Sequence, residues 1–358
     1  MGKNLLTEKV QEEVGFYIDF LANLKGKPID IQNITSVSTC NIICSILVGS
    51  RFEYDDHDFK TLIESQNVLV SSQNNLSLIN YAYWLEYIPG DYFNAKKLVT
   101  SLKAVMSSLG KFVDAKKEHF GDSSEVSDLI DAYNKEKNKK IQAGVSTYLD
   151  KKNLVRTMMD LFQGGTDTTS ITICWVILYM LNYPEIQEKV YQEIKDKVGT
   201  DRVPTMQDKN QLVYLNAVIH ETQRLASIVP LSVTHFCSET MTLRGYTIPK
   251  GTYILTNLDS VLHDKDTWGA DAMSFRPERF IDDNGKLKVL EQFIPFGIGR
   301  RVCLGESLAK TGLFLYMASM FQRFHFLPSN PNSIPELKYQ GGLVVATVPY
   351  EVKMVERK

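Results

Sequence analysis

The sequence is poor in three features that would each point to a particular class of protein. Its five cysteines among 358 residues are scattered and odd in number, which argues against a disulfide framework and favours a reducing compartment. Its net charge of −2 argues against a general binder of nucleic acid or other polyanions. The longest apolar run, residues 171–181, is too short to span a membrane, and the first residues carry no signal-peptide core. What is present is a chain that is 44% hydrophobic and able to bury a large core.

One cysteine stands out because of its neighbours. Cys303 follows Phe296, Gly299 and Arg301 and precedes Gly305, directly ahead of a long apolar helical pattern. A thiolate at a helix N-terminus is favoured by the helix dipole and by unpaired backbone amides, so this position suits a metal ligand. The glycines allow a flat cofactor to approach the backbone closely. Arg301 can donate two parallel hydrogen bonds to a carboxylate on that cofactor. The alternative, a buried free cysteine before a core helix, leaves the other residues at fixed offsets unexplained.

A second motif lies in the middle of a predicted helix. Residues 164–169 read Gly-Gly-Thr-Asp-Thr-Thr, and two glycines inside a helix cost about 1 kcal/mol each relative to alanine. Small residues allow a ligand to approach the helix, and Thr168 can donate back to a carbonyl and loosen the backbone hydrogen bonds. The other interpretation is a helix kink or a close crossing with a second helix.

A third motif pairs opposite charges. Glu221 and Arg224 share one face of a predicted helix, and Arg279 lies further along in a Pro-Glu-Arg-Phe segment. Taken alone, the first two would form a surface salt bridge that contributes little to stability.

Together these motifs resemble those of the cytochrome P-450 monooxygenases. The segment around Cys303 fills every specified position of that family's pattern F-x-x-G-x-R-x-C-x-G, and residues 164–169 match its pattern [A/G]-G-x-[D/E]-T-[T/S]. The charged residues match its E-x-x-R and P-E-R-F motifs. The resemblance implies the cytochrome P-450 fold, mainly α with small β-sheets, as a single domain over residues 1–358. It also implies haem b (iron protoporphyrin IX) as the cofactor, with Cys303 as the proximal iron ligand.

The resemblance assigns roles to the other residues of these motifs. Asp167 and Thr168 would relay protons to dioxygen as an acid–alcohol pair, and Gly164 would line the oxygen pocket. Arg301 and His235 would bind the haem propionates. The remaining loop residues implied to enclose the haem are Phe296, Gly299 and Gly305.

The resemblance also implies a structural network and a substrate pocket. Glu221, Arg224 and Arg279 would hold the core around the cysteine loop, where loss of one buried partner would cost several kcal/mol. Substrate contacts rest on family topology alone, and they are Asp160, Gly164, Val229, Val233 and Val344. These residues are mainly apolar, which fits a lipophilic substrate but is true of almost every such pocket.

Partners and location follow from the same resemblance. Electrons would come from an NADPH-dependent flavoprotein reductase, with cytochrome b5 as a second candidate donor, and the substrates would be dioxygen and a lipophilic small molecule. No nucleic-acid partner is expected. Arg300, Lys286 and Lys288 are candidates for the reductase docking face, although a solvated charge cluster explains them equally well. The full-length parent is expected to associate with the endoplasmic reticulum membrane, as eukaryotic microsomal members do.

Relative to that family, the sequence is expected to lack an N-terminal part. No Trp-x-x-x-Arg propionate clamp precedes the distal helix, and the anchor, the proline-rich hinge, the first sheet strands and the pocket roof are not found. We therefore expect an exposed haem edge, unpaired sheet edges and low stability.

Three functions stay open at this point. The first is a haem-thiolate monooxygenase of the microsomal type, indicated by the intact acid–alcohol pair and cysteine loop. The second is a catalytically inactive, truncated remnant that binds haem or lacks it. The third is a haem-thiolate isomerase or dehydratase, which is disfavoured because that chemistry does not need the acid–alcohol pair.

The periodicity predicts a helix-dominated chain. The predicted helices cover residues 5–24, 35–48, 153–182, 184–199, 211–227 and 303–324, with two or three more between 59 and 121. The charged stretch 118–140 is predicted as a solvated helix end or loop. The predicted strands are 240–243, 246–248 and 253–257, followed by a closing hairpin at 343–352.

Overall fold

The computed structural model describes residues 3–57, 59–66, 68, 83–88, 90, 91, 94–118 and 126–357. Its α-helices are α1 (Lys3–Asn23), α2 (Ile31–Val48), α3 (Ala95–Glu118), α4 (Leu129–Gln142), α5 (Lys151–Asn182), α6 (Pro184–Lys197), α7 (Val213–Ala226), α8 (Leu258–Leu262), α9 (Lys265–Trp268) and α10 (Glu306–Arg323). Its strands are β1 (Ile29–Asp30), β2 (His235–Phe236), β3 (Met241–Leu243), β4 (Tyr246–Ile248), β5 (Tyr253–Ile254), β6 (Phe324–Pro328), β7 (Tyr339–Gln340), β8 (Ala346–Thr347) and β9 (Glu351–Glu356). The predicted class, mainly helical with small sheets, is confirmed.

The longest helix, α5, is set by strong local signals at both ends. At its start, the Asp150 side chain accepts a hydrogen bond from the backbone N–H of Asn153 and so caps the first turn. At its end, Pro184 cannot continue the helix and instead begins α6 at its first position. The predicted helix over residues 153–182 therefore agrees with α5 to within two residues at its start.

The core is built around α5, which joins two apolar clusters. The C-terminal half of α5 packs with α1, α7, α10, β6 and β9, while its N-terminal half packs with α2, α3 and residues 59–63. Because α5 is shared by both clusters, its residues between them lie at the centre of the molecule, where the second sequence motif falls.

Helix α2 corrects the statement that no segment is long enough to span a membrane. Among the described helices it alone has the length and the apolar composition to do so, with 18 residues of mean hydropathy 1.4. However, 61% of the helix is buried, and its polar side chains bond within the protein; Thr39 donates to the backbone carbonyl of Thr166 on α5. The core helix of a soluble protein passes the same test, so the composition of α2 is weak evidence for an anchor.

The predicted closing hairpin at residues 343–352 is wrong. β8 pairs with β7, whereas β9 pairs with β6 over five residues and with β1 over two. The long register with β6 turns Val352 and Met354 into the core, where both are buried, and this burial favours β6 over β8 as the partner.

Two other differences have local causes. The strand predicted over residues 253–257 ends at Ile254, because Asn257 caps α8 by accepting a hydrogen bond from the N–H of Ser260. Much of the charged stretch predicted as a solvated end or loop belongs to α4, which the Asp128 side chain caps.

Candidate functional site

The cysteine loop is a sequence of tight turns that ends where α10 begins. Gly297 and Gly299 adopt φ angles of +74° and +76°, which glycine reaches without a steric penalty. The backbone N–H of Cys303 donates to the carbonyl oxygen of Phe296 at 3.0 Å and closes the loop. The first turn of α10 follows at once, with the N–H of Ala309 donating to the carbonyl of Gly305. Cys303 therefore stands just before the N-terminus of an 18-residue helix.

Exposure separates Cys303 from the other cysteines. Its thiol is exposed, whereas the other four are buried. The loop also exposes apolar side chains, among them Leu304 at 89% and Ile298 at 71%. Arg301 is exposed too, and its guanidinium has no partner within the described ranges. These groups suit a flat, apolar cofactor that bears a metal and carboxylates. The thiol could bind the metal, the apolar side chains could contact the flat surface, and the guanidinium could bind a carboxylate.

A small cleft, with an enclosed volume of about 40 Å³, lies between the cysteine loop and α5. It is lined by side chains from α5, α7, α8, α10, the loop after α7 and the cysteine loop, namely Thr168, Thr169, Thr172, Gln223, Ser227, Ile228, Val229, Leu258, Leu262, Pro295, Phe296, Ala309 and Leu313. Two of its polar atoms, Gln223 Oε1 and Ser227 Oγ, are buried and without hydrogen-bond partners among the described residues. Unpaired buried oxygens in a cleft indicate room for a polar group of a ligand or for water.

The acid and the alcohol of the second motif face different surroundings. Thr168 lines the cleft, and its Oγ1 donates to the carbonyl oxygen of Gly164 at 2.8 Å. The Asp167 carboxylate instead accepts a hydrogen bond at 2.8 Å from Nε2 of Gln66, a residue that is 1% exposed. Burial raises the pKa of Asp167 to about 6, and the bond from Gln66 opposes that rise.

The two glycines of that motif have different roles. A Cβ on Gly165 would come within 2.4 Å of Ile43 Cδ1 on α2, so this glycine permits a close crossing of α2 and α5. A Cβ on Gly164 would meet nothing within 4 Å among the described atoms, and Gly164 is exposed. The close-crossing interpretation of the sequence thus holds for Gly165, whereas none of the described residues packs against Gly164.

The third motif forms a buried charge network. Glu221 and Arg224 are 0% exposed and Arg279 is 7% exposed. Arg224 binds both carboxylate oxygens of Glu221, at 2.8 and 2.9 Å, and Arg279 Nε binds Oε1 at 2.8 Å. The remaining guanidinium N–H groups donate to backbone carbonyls of Leu262, Trp268, Asp271 and Ser274. Each guanidinium nitrogen of the two arginines therefore has an acceptor, and these hydrogen bonds offset the cost of burying the charges.

His235 lies in β2, opposite Ile254 of β5, and is half-buried. Its imidazole has no partner in the portion of the chain that the structure describes, and neither His235 nor Arg301 contacts the other. Their shared propionate-binding role stays a prediction.

The predicted substrate residues are only partly brought together. Val229 lines the cleft, and the backbone beside Val344 is joined to the loop after α7, because the N–H of Val345 donates to the carbonyl of Ile228. Val233 is 68% exposed. Asp160 lies elsewhere, in a surface groove beside α4. The substrate assignment stays a prediction for all five positions.

Sequence reasoning missed Gln66, Gln223 and Ser227. No local pattern marks Gln66, which lies about one hundred positions from its partner, and only the fold brings it to Asp167. The structure, and not the sequence, distinguishes Ser227: it follows α7 with a positive φ of 40°, which is unusual for a residue other than glycine.

Comparison with known proteins gives one consistent result. Residues 1–354 match the family described as Cytochrome P450. The chain is 37% identical to Cytochrome P450 2J2 of Homo sapiens over 98% of the chain and 69% of that protein. It is 39% identical to Cytochrome P450 2U1 of Bos taurus and 38% identical to that of Homo sapiens, in each case over 100% of the chain and 65% of the relative. The chain thus spans about two thirds of the length of these relatives.

Proposed function

Because the chain belongs to the cytochrome P450 family, we propose that its protein is a haem-thiolate monooxygenase. One oxygen atom of dioxygen enters a lipophilic substrate and the other leaves as water, with electrons supplied by a reductase and protons by the solvent. The observation that carries this proposal is the cleft that Thr168 of α5 and Phe296 of the cysteine loop line together. A bound haem supplies the chemistry, since a thiolate ligand pushes electron density onto iron and favours O–O cleavage.

The groups around the cleft fit such a cofactor. Cys303 presents an exposed thiol just before the N-terminus of α10. Arg301 is free to bind a propionate, and His235 is the second candidate for that role. Phe296 and Leu313 supply apolar surface for the macrocycle. Haem b is the form of the cofactor that we propose.

The chain's own residues handle the protons. Thr168 holds its hydroxyl at the cleft, with its proton directed to the Gly164 carbonyl. Asp167 lies next to it in sequence and has a pKa of about 6, so it can both bind and release a proton near neutral pH. Within the described residues no hydrogen bond joins the two side chains, so passage of a proton between them requires a water molecule or a rotation of Asp167.

The remaining assignments extend the same proposal. Val229, Val233, Val344, Asp160 and Gly164 stay the candidates for substrate contact, and the substrate is a lipophilic small molecule. Electrons come from an NADPH-dependent flavoprotein reductase, with cytochrome b5 as a second candidate donor. We also propose that the full-length protein resides at the endoplasmic reticulum membrane.

The absorption spectrum of the haem-loaded chain, reduced and exposed to carbon monoxide, tests this function. We expect a strongly red-shifted Soret band in the unsubstituted chain and its loss in Cys303→Ala. Cys237→Ala is the matched control, because Cys237 is buried and its thiol donates to the Glu239 carbonyl. The control should keep the band. A Soret band typical of a histidine or neutral ligand in the unsubstituted chain would contradict the proposal and favour an inactive remnant.

A further inference from the structure

The partner of Asp167 is unusual for a buried carboxylate. The Gln66 side chain is 1% exposed, and its Nε2 donates to Asp167 Oδ2 at 2.8 Å. The other end of the same amide, Oε1, is buried and has no hydrogen-bond partner among the described residues. An unsatisfied buried acceptor costs about 1–3 kcal/mol, so the amide is not placed there for stability alone.

The environment of Asp167 is otherwise uncharged. Within the described part of the chain Asp167 forms no ion pair, and desolvation is the larger of the two influences on its pKa. Cys40 on α2 is a titratable group that interacts with Asp167; burial and Cys44 raise the pKa of its thiol, so it stays neutral at physiological pH. An arginine or lysine in place of Gln66 would hold the carboxylate ionised and lower its pKa.

A primary amide suits both protonation states of a carboxyl group. Nε2 donates a hydrogen bond to the carboxylate. After a 180° flip of the side-chain amide, Oε1 accepts a hydrogen bond from the carboxylic acid. The unpaired Oε1 of Gln66 is thus the acceptor that a protonated Asp167 lacks in the present arrangement.

We infer that Gln66 is a positioning residue for Asp167, holding its carboxyl group in place as it alternates between the charged and the neutral form. This inference rests on the proposed function, in which Asp167 passes protons toward Thr168. Gln66 is not among the described residues that line the cleft, so it acts through Asp167.

The first test is the titration of Asp167 in the haem-loaded full chain. Infrared spectroscopy of ¹³C-aspartate-labelled protein monitors the carboxyl band as the pH is changed, and the loss of a band in Asp167→Asn assigns it to Asp167. In Gln66→Leu, which has similar volume and no amide, the midpoint should rise by about one pH unit, because the carboxylate loses its donor. In Gln66→Glu the two carboxyl groups should titrate as a coupled pair in two steps. A residue that merely filled space would leave the midpoint in Gln66→Leu unmoved, and that result would overturn the inference.

The second test measures how electrons are used. With reductase and a substrate that is turned over, Gln66→Leu should lower the fraction of NADPH electrons recovered in product by roughly threefold or more, with the remainder appearing as hydrogen peroxide. Gln187→Leu is the control, since it also removes a buried glutamine but one that bonds to the Met180 and Phe326 backbone. The control should change neither the Asp167 midpoint nor the electron fraction.

The two proposals fail in different ways. A normal red-shifted Soret band combined with an unmoved midpoint and an unchanged electron fraction in Gln66→Leu would overturn only the assignment of Gln66. Absence of that band in the unsubstituted chain would overturn the proposed function, whatever the midpoint does.

Discussion

Asp167 shows how a single residue is tuned by its surroundings. Its carboxyl group lies in the interior with one amide as a partner, and burial raises its pKa to about 6. In the unfolded chain an aspartate has a pKa of about 3.9. The folded state therefore binds more protons than the unfolded state between these two pH values, and stability falls as the pH rises through that window.

Asp167→Asn should remove this pH dependence. The variant lacks the cost of burying a charge, so its free energy of unfolding should exceed that of the unsubstituted chain by about 2 kcal/mol at pH 8. The two proteins should differ by less than about 1 kcal/mol at about pH 4, where the aspartate is neutral in the folded state and about half ionised in the unfolded state. Urea denaturation at both pH values measures the difference, and an equal difference at both would contradict the raised pKa.

Cys303 provides a second prediction at the residue scale. Because its thiol is exposed and the described structure gives it no side-chain partner, Cys303→Ala should change the free energy of unfolding of the haem-free chain by no more than about 0.5 kcal/mol. The same substitution should abolish thiolate ligation. A large loss of stability in the haem-free variant, measured by urea denaturation, would show that the thiol has a structural role.

At the level of elements, the crossing of α2 and α5 depends on one glycine. Gly165→Ala gains about 1 kcal/mol of helix propensity but forces its Cβ against Ile43, and overpacking of this kind costs about 1–3 kcal/mol. We expect a net loss of stability. Gly164→Ala, one position earlier, places its Cβ where none of the described atoms lies within 4 Å, and it should instead stabilise the chain by up to about 1 kcal/mol.

Thermal denaturation of the two alanine variants measures this contrast. A double variant of Gly165→Ala with Ile43→Val removes Cδ1, the atom nearest to the new methyl group, and should recover part of the loss. Equal effects of the two single substitutions would show that the crossing is not tightly packed at Gly165.

The charge network joins α7 to the segment after α9. Arg279→Ala would leave the buried Glu221 carboxylate short of one ion pair and three backbone carbonyls without their donor, so we expect a loss of about 3–5 kcal/mol in the free energy of unfolding. Arg276→Ala, which breaks an exposed pair with Asp271, should cost less than about 1 kcal/mol. Comparable losses in the two variants, measured by urea denaturation, would contradict a dominant role for the buried network.

At the scale of the whole molecule, the cleft gathers side chains from four helices and two loops. A ligand that fills it binds the folded state only, and it stabilises that state by mass action. The haem-loaded chain should therefore melt at a higher temperature than the haem-free chain, and the gain should be smaller in Cys303→Ala. An unchanged melting temperature on haem addition, with haem shown to be bound, would show that haem binds the folded and the unfolded chain equally well, which would contradict a binding site formed by the fold. The low stability expected from the sequence stays a prediction.

Local chemistry made much of the fold predictable. The ends of α5 and α6 follow from a capping aspartate and a proline, and the cysteine loop follows from its glycines, so their positions could be stated from sequence. Strand pairing could not be predicted from the sequence in the same way. The strand that precedes β9 in sequence is β8, yet β9 pairs with β6, because that register buries Val352 and Met354. Pairing depends on which faces meet in the core, and residues distant in sequence decide it.

The motifs and the family could be identified without the fold, because the groups that a thiolate-ligated haem requires stand at fixed short offsets within one loop or one helix turn. The packing of the folded chain was needed to show that Gly165 serves the crossing of α2 and α5, that none of the described atoms lies against Gly164, and that Asp160 lies away from the cleft. It alone gave Asp167 a neutral amide as its partner. The physical reason is that burial and the pKa it sets depend on contacts between segments far apart in the chain, which no local pattern encodes.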